Sequence, residues 1–221
     1  MKTFFASLAL AVLTLQPAFA DWVIVQKSTT DGQVQDMTFK IKGDKARFDA
    51  GAQMSVILDS SAGGATILMH AQKAVVKMTA EMMKSAMAMA GNALGGVAKG
   101  PPAKPQATGQ TEKVGAYETE IYTWSGPIGT GKFWVAKDFP QAKELNEIQD
   151  KMMKAMGNPV ATLAPAAADF PGMVIKSEMT MMGKTVLSET VSAKEEPVDE
   201  AIFTLPADYN EMKLPGLPGG Q

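Results

Sequence analysis

"MTFKIKGDKARFDA", residues 37 to 50, decides the fold, because apolar and polar side chains alternate on both sides of a turn signal. A two-residue turn at 43–44 places Phe39 opposite Phe48 on one face of an antiparallel pair. The same register puts Arg47, the single arginine of the chain, on the other face. The stretch therefore predicts a β-hairpin with one apolar face.

Short alternating runs between turn signals recur along the chain, which predicts an antiparallel meander. The further predicted strands cover residues 54–59, 65–70, 74–78, 116–124, 132–138, 173–181, 185–193 and 202–203.

Two helices are predicted between these strands. Thr79 has the character of a helix cap, and methionines and small residues follow at helical spacing over residues 80–90. The second helix is predicted from Pro140 to about Met156, because apolar side chains step by three or four along one face. These side chains are Leu145, Ile148, Met152 and Met156.

The ends of the chain set the predicted domain organisation. Residues 1–20 have a lysine, an apolar run and a small-x-small site, which predicts a cleaved secretory signal peptide. We predict a single domain over residues 21–210, a flexible Gly/Pro/Ala-rich insert at 91–111 and a disordered tail at 211–221. Because the chain has no cysteine, it has neither a lipidation site nor disulfides. The expected location is the periplasm or the exterior of the cell.

Charge and motifs exclude several function classes. Without residues 1–20, the chain has 20 basic and 23 acidic residues and no concentrated basic face, so we expect no nucleic-acid partner.

"SGPIGTGKFW", residues 125–134, has the glycine and lysine spacing of a phosphate-binding loop. However, Phe133 replaces the hydroxyl residue that would hold magnesium, and a strand-like run follows. We therefore predict a hairpin loop at 126–131.

The sequence also contains few candidate catalytic residues. With one histidine and no cysteine, Cys-His pairs and multi-histidine zinc sites are impossible. A serine triad would need His70, but the Gly-x-Ser-x-Gly elbow is missing. The carboxylates, including Glu118 and Glu120, fit ordinary solvated charge, although their distances are invisible in a sequence. We expect no enzyme activity and no cofactor, and we expect His70 to face solvent.

Four segments in order carry a resemblance to a known family. "IKGDKARFD" at 41–49, "SVILD" at 55–59, "ILMHAQKAVVKM" at 67–78 and "FTLPADY" at 203–209 resemble an uncharacterised bacterial family, a domain of unknown function. Its members are similar to the LolA/LolB-like periplasmic lipoprotein-carrier superfamily. The resemblance implies an α+β fold with a curved antiparallel sheet, an open half-barrel, and two main helices packed on its concave side. In that superfamily, the apolar cavity between sheet and helices accepts acyl chains.

Methionine is the residue type that links this implied cavity to the sequence. The chain has 17 methionines, and this unbranched, polarizable side chain adapts to ligands of varied shape. They either pack an ordinary core or line a ligand groove, and the sequence leaves both readings open. The residues predicted to line the groove are Met82, Met83, Met87, Met152, Met156, Phe39, Phe48 and Trp134.

Two further sites stay open on the sequence alone. Thioethers are ligands for Cu(I), and the copper alternative would use Met82, Met83, Met87 and Met89, with His70 as an added imidazole. Arg47 is either a contact for a polar ligand group or a lid, or a solvated strand charge.

The sequence thus predicts an exported protein that binds or carries a lipid or a lipoprotein acyl chain in a Met-rich groove. The expected partners are an apolar small molecule and an envelope lipoprotein, with peripheral membrane contact and no span in the mature chain. A periplasmic Cu(I)-binding protein is one alternative. An interaction scaffold that binds another envelope protein at an exposed sheet edge is the other.

Overall fold

The computed structural model describes residues 21–82, 84–85, 103–156, 163–181 and 183–212, and side chains are described in these ranges except for 151–156. The predicted signal peptide at 1–20 lies outside the described residues, as do residues 91–102 of the predicted insert and residues 213–221 of the predicted tail.

Within those ranges, the chain forms one open sheet of twelve strands. The strands are β1 (Trp22–Thr30), β2 (Gln33–Lys42), β3 (Lys45–Ala50), β4 (Met54–Asp59), β5 (Gly64–Met69), β6 (Ala74–Met78), β7 (Gln106–Val114), β8 (Tyr117–Gly126), β9 (Gly129–Ala136), β10 (Met173–Met181), β11 (Lys184–Glu195) and β12 (Asn210–Glu211).

Two meanders meet in the middle of this sheet. The strand order is β12-β6-β5-β4-β3-β2-β1-β11-β10-β9-β8-β7, and every pairing is antiparallel except the short parallel contact of β12 with β6. Strand β1 joins the two halves, since it pairs with β2 on one side and β11 on the other. The predicted antiparallel sheet is therefore confirmed, and its two ends do not close on each other.

The deciding hairpin has the predicted register. Phe39 pairs with Phe48, and Lys40 pairs with Arg47, across β2 and β3. The ring centroids of Phe39 and Phe48 lie 4.8 Å apart, so the apolar face continues from one strand to the next. We call the face that carries these two rings the inner face and the face that carries Arg47 the outer face.

The predicted strands and tail differ from the structure at four points. Strand β1 is absent from the predicted strands. Residues 106–111, predicted as flexible insert, lie in strand β7, whose side chains are polar but whose backbone pairs with β8. The strand predicted at 202–203 is instead part of a 3₁₀ turn, Glu200–Phe203. Glu211, assigned to the tail, pairs with β6, and the Met212 N–H donates to the Val75 carbonyl at 2.7 Å.

Helix α1 (Ala142–Met156) follows β9 and packs on the sheet. It begins two residues after the predicted Pro140, because Gln141 has a φ of +55° that a helix cannot contain. Its Leu145 is 2% exposed and joins the same apolar cluster as Ile24 and Leu58. The helix contacts β4, β5 and β10, so it connects the two halves of the sheet.

Only the start of the other predicted helix is described. Residues 80–82, 84 and 85 are helical, and the Met82 N–H donates to Thr79 Oγ1 at 3.2 Å, so the predicted cap is confirmed. Residues 86–90 lie outside the described residues. Within the part of the chain that is described, no helix is long and apolar enough to cross a membrane.

The described residues form three core clusters. The largest includes Trp22, Ile41, Leu58 and Leu145 and spans both halves of the sheet. A second gathers Trp124, Phe133 and Phe170 on the C-terminal half. The third lies on the outer face of β4 to β6, where Phe203 and Tyr209 of the C-terminal segment cover Ile57, Leu68 and Val75.

Candidate functional site

An apolar pocket lies between helix α1 and the inner face of the sheet. Its floor is a cross-strand row in which Ile24 pairs with Phe39, Phe39 with Phe48 and Phe48 with Val56. Because side chains two residues apart on a strand share a face, the adjacent inner-face positions of these strands complete the floor. Those positions are Gln26, Met37, Ile41 and Leu58.

Helix α1 and the start of β10 supply the remaining wall. Leu145 and Gln149 are four residues apart, which places both side chains on one side of the helix. Met173, the first residue of β10, lines the pocket beside them. Leu145 is buried and Gln149 is exposed, so the amide lies where the pocket opens.

The pocket is large and almost entirely apolar. Its volume is about 400 Å³, and nine of its eleven lining side chains are hydrophobic. The two polar ones are the amides of Gln26 and Gln149, and the described lining contains no charged side chain. Gln26 Nε2 donates to Thr190 Oγ1 at 3.3 Å, which ties this amide to strand β11.

Of the predicted lining residues, Phe39 and Phe48 border the pocket and Trp134 does not. Trp134 is 3% exposed, and its Nε1 donates to Glu112 Oε2 at 2.8 Å. The ammonium groups of Lys176 and Lys132 lie 4.2 and 4.7 Å from the ring centroid. Hydrogen bonds from Trp134 and Lys176 lower the pKa of Glu112. Trp134 thus belongs to a charged cluster that holds β7, β9 and β10 together.

The predicted methionines are placed only in part. Met82 is half-buried and does not line the pocket, and Met83, Met87 and Met89 lie outside the described residues. For Met152 and Met156 the structure describes the helical backbone and not the side chains. The copper site built from this set therefore stays a prediction.

Two methionines that the sequence reasoning missed do line the pocket, Met37 on β2 and Met173 on β10. The available signal was the alternation of the strands, since Met37 is two residues from Phe39 and so shares its face. Nothing local to Met173 indicated which face of the sheet it would join.

Arg47 lies on the outer face, away from the pocket, and holds the C-terminal segment. Its Nη1 donates to the Ile202 carbonyl at 2.8 Å, its Nε to Asp49 Oδ1 at 2.7 Å and its Nη2 to Ser55 Oγ at 2.9 Å. The side chain is 19% exposed, so the interpretation as a solvated strand charge is wrong. Burial raises the pKa of Asp49, but the hydrogen bonds from Ser55 and Arg47 and the nearby positive charges lower it overall.

His70 extends the same network and does not face solvent as predicted. Its Nε2 lies 2.7 Å from Ser55 Oγ, and its Nδ1 lies 2.6 Å from the Tyr209 hydroxyl. A serine hydroxyl has one proton, and the Asp49 carboxylate 2.6 Å away can only accept it. Ser55 therefore donates to Asp49 and accepts from His70, which places the imidazole proton on Nε2.

This Ser-His contact is arranged unlike a nucleophile and its base. In a catalytic pair, the serine gives its proton to the imidazole, whereas here the proton of Ser55 is directed to Asp49. Ser55 is also 1% exposed beneath the C-terminal segment. The network joins β3, β4 and β5 to Ile202 and Tyr209. We call Arg47, Asp49, Ser55, His70 and Tyr209 the outer latch.

The glycine-rich stretch at 125–134 forms a hairpin, as predicted, and the turn is only Pro127 and Ile128. Gly126 pairs with Gly129, and Lys132 extends over the Trp134 ring. Among the described residues, no group of three or more His, Asp or Glu side chains is placed to hold a metal ion.

The fold and the pocket place the protein in a class of proteins with an open antiparallel sheet and an apolar pocket between the sheet and a helix. The chain belongs to the family described as a domain of unknown function, DUF4412, whose match spans residues 22–209. The predicted family membership is thus confirmed. No curated protein matches the chain.

Several solved structures share low similarity with the chain. PNGF-II is 12% identical with a TM-score of 0.42, and the match covers 87% of this chain but only 31% of PNGF-II. Lipoprotein LppX of Mycobacterium tuberculosis is 10% identical with a TM-score of 0.42, covering 80% of this chain and 88% of LppX. A LolA superfamily protein of Nitrosomonas europaea is 10% identical with a TM-score of 0.33, covering 86% and 91%.

Proposed function

We propose that this chain binds one apolar or amphiphilic small molecule, with an acyl chain as its apolar part, in the pocket under helix α1. The observation that carries this proposal is a space of about 400 Å³ with nine hydrophobic side chains around it. Small-molecule sites have this size and this lining. Protein interiors are otherwise closely packed, and unfilled apolar volume costs stability.

The lining suits a ligand of variable length. Met37 and Met173 have flexible, polarizable side chains, and both lie at the pocket wall. Met54, Met69 and Met78 occupy inner-face positions further along β4 to β6, by the register with the pocket strands. We include in the proposal that the sheet curves around α1, together with the predicted ligand contacts of Met83 and Met87, which lie outside the described residues.

The biological setting is part of the same proposal. The signal-peptide pattern of residues 1–20 supports export, and a carrier of a lipid or a lipoprotein acyl chain in the cell envelope fits such a location. We propose binding without catalysis. The arrangement of Ser55, whose proton goes to Asp49, supports that choice.

A cavity-filling variant tests the function. Val56→Trp fills the pocket from its floor, and Val34→Trp is the matched control, because Val34 is 63% exposed and does not line the pocket. Titration with a fluorescent acyl chain should show an affinity loss of about tenfold or more for Val56→Trp, equivalent to 1.4 kcal/mol. The control should bind like the wild type, and circular dichroism checks that both variants fold. A folded Val56→Trp protein with unchanged affinity, or a wild type that binds no acyl probe, would contradict the proposal.

A further inference from the structure

The polar groups of the described pocket lining are two uncharged amides, one on the floor and one on the helix wall. Gln26 comes from strand β1 and is half-buried, and Gln149 comes from helix α1 at the opening. The bond from Gln26 to Thr190 uses one of its two amide N–H groups. Amides both donate and accept, so this pair can bind a carbonyl or a hydroxyl of a ligand.

Hydroxyl side chains continue the polar surface beyond Gln26. Ser28 is two residues after Gln26 on β1 and so shares its face. Ser28 pairs with Ser188 of β11, and Ser188 pairs with Ser177 of β10, so three hydroxyls form a row across the sheet. All three serines are half-buried. Ser28 therefore adds a neutral hydrogen-bonding group next to Gln26 on β1.

The charge of the lining decides which polar group it favours. No cationic side chain is among the described pocket residues, and the single arginine, Arg47, is on the outer face in the outer latch. A carboxylate that leaves water for the half-buried site beside Gln26 meets amide donors but no cation, so much of its desolvation cost is not recovered. An ester or an amide loses much less hydration free energy when it enters the pocket. It also regains hydrogen bonds from Gln26 and Gln149.

We infer that the pocket selects amphiphiles with an uncharged polar group, an acyl ester or amide, over free fatty acids. Gln26 and Gln149 are the residues that determine this specificity. The inference rests on the proposed function and adds the chemical class of the ligand.

Ligands that share one acyl chain test it. Dodecanoic acid, its methyl ester and its primary amide are titrated by calorimetry or by displacement of a fluorescent acyl probe. At about pH 8, where the acid is ionised, the ester and the amide should bind about tenfold or more tightly than the acid. Near pH 4, where much of the acid is neutral, its affinity should rise towards that of the ester. The ester should bind equally at both pH values.

Substitutions at the two amides separate specificity from pocket integrity. Gln149→Leu and Gln26→Leu remove the polar groups, so each should lower affinity for the amide and the ester severalfold while affinity for the acid changes less. Gln149→Lys adds a cation at the opening and should abolish the preference at about pH 8, raising affinity for the acid about tenfold. Because Gln149 is exposed, its variants should fold like the wild type.

The outcomes separate the two claims. Selection for ester and amide that Gln149→Lys abolishes supports the inference. Equal or tighter binding of the acid by the wild type at about pH 8 overturns the inference and leaves the proposed function standing. No binding of any of the three ligands overturns both.

Discussion

The rings of Phe39 and Phe48 lie with their centroids 4.8 Å apart on adjacent strands and together form the floor of the apolar pocket. Both side chains are only half-buried, although they occupy the inner face of the sheet. The pocket accounts for this exposure, because both rings line it.

Phe48→Ala should enlarge the pocket and change its ligand preference. Full truncation of a buried Phe costs about 3–5 kcal/mol, so a half-buried ring should cost about 2 kcal/mol of unfolding free energy. The variant should gain affinity for branched acyl chains relative to linear ones, as measured by displacement titration. Phe203→Ala is the matched control, since Phe203 is half-buried on the outer face, and it should lose stability without a change in preference. The same shift in both variants would contradict the assignment of the floor.

Asp49 should make the stability of the domain sensitive to acid. Burial raises the pKa of Asp49, but hydrogen bonds from Ser55 and Arg47 outweigh it, so its pKa is lowered in the folded protein. A lowered folded pKa means that the stabilising contribution is present above the unfolded pKa of about 3.9. It is lost as the pH falls from there through the lower folded value.

Asp49→Asn tests that pH dependence. The variant should lose about 1–3 kcal/mol near pH 7, because it removes charge-assisted hydrogen bonds, and should approach the wild type in acid. Urea unfolding across a pH series measures this, with Asp36→Asn as an exposed control on β2. A constant difference between wild type and Asp49→Asn at every pH would contradict the role of the carboxylate.

The C-terminal segment should depend on the half-buried contact of His70 with Tyr209 and not on the exposed ion pair between Lys73 and Asp208. Tyr209→Phe removes the hydroxyl that lies 2.6 Å from His70 Nδ1 and should cost about 1 kcal/mol. Asp208→Asn breaks only the exposed pair with Lys73 and should leave the unfolding free energy unchanged. Hydrogen exchange of the Met212 amide, which bonds to Val75, should speed up in Tyr209→Phe alone. Equal acceleration in both variants would refute the distinction.

Gly129 should be needed for the hairpin of β8 and β9 to pack on β10. Its φ is +153°, and a Cβ there would collide with the carbonyl oxygen of Thr180. Gly129→Ala should therefore cost about 2–4 kcal/mol, from backbone strain and overpacking together. Gly43→Ala, at φ +56° with open space around it, should cost only about 1–2 kcal/mol. Thermal unfolding measures the stability of both variants. Equal losses of unfolding free energy would show that the contact with Thr180 is unimportant.

Local patterns predicted the parts of the sheet whose partners are close in sequence. The turn at 43–44 and the alternation around it fixed the pairing of Phe39 with Phe48. Strand β7 escaped prediction because Gln106–Val114 is mostly polar and exposed, and only its backbone pairing with β8 makes it a strand. Polar side chains carry no periodic signal when neither face is buried.

Long-range contacts explain what was missed at the sites. His70 was expected in solvent because its partner, Tyr209, is 139 residues further along the chain. Trp134 was expected in the pocket, but Glu112 and Lys176 bind it on another part of the sheet. Alternation indicates which residues share a face, and it does not indicate which face another segment will cover.

Methyl groups of methionine provide the most direct test of the central claim, that a ligand occupies the pocket under α1. Met37 and Met173 line the pocket, whereas Met212 is 44% exposed and outside it. With carbon-13 methyl labels assigned by Met→Leu substitution, saturating dodecanoyl methyl ester should give nuclear Overhauser contacts to Met37 and Met173 and none to Met212. A saturated complex without contacts to Met37 and Met173 would contradict the account.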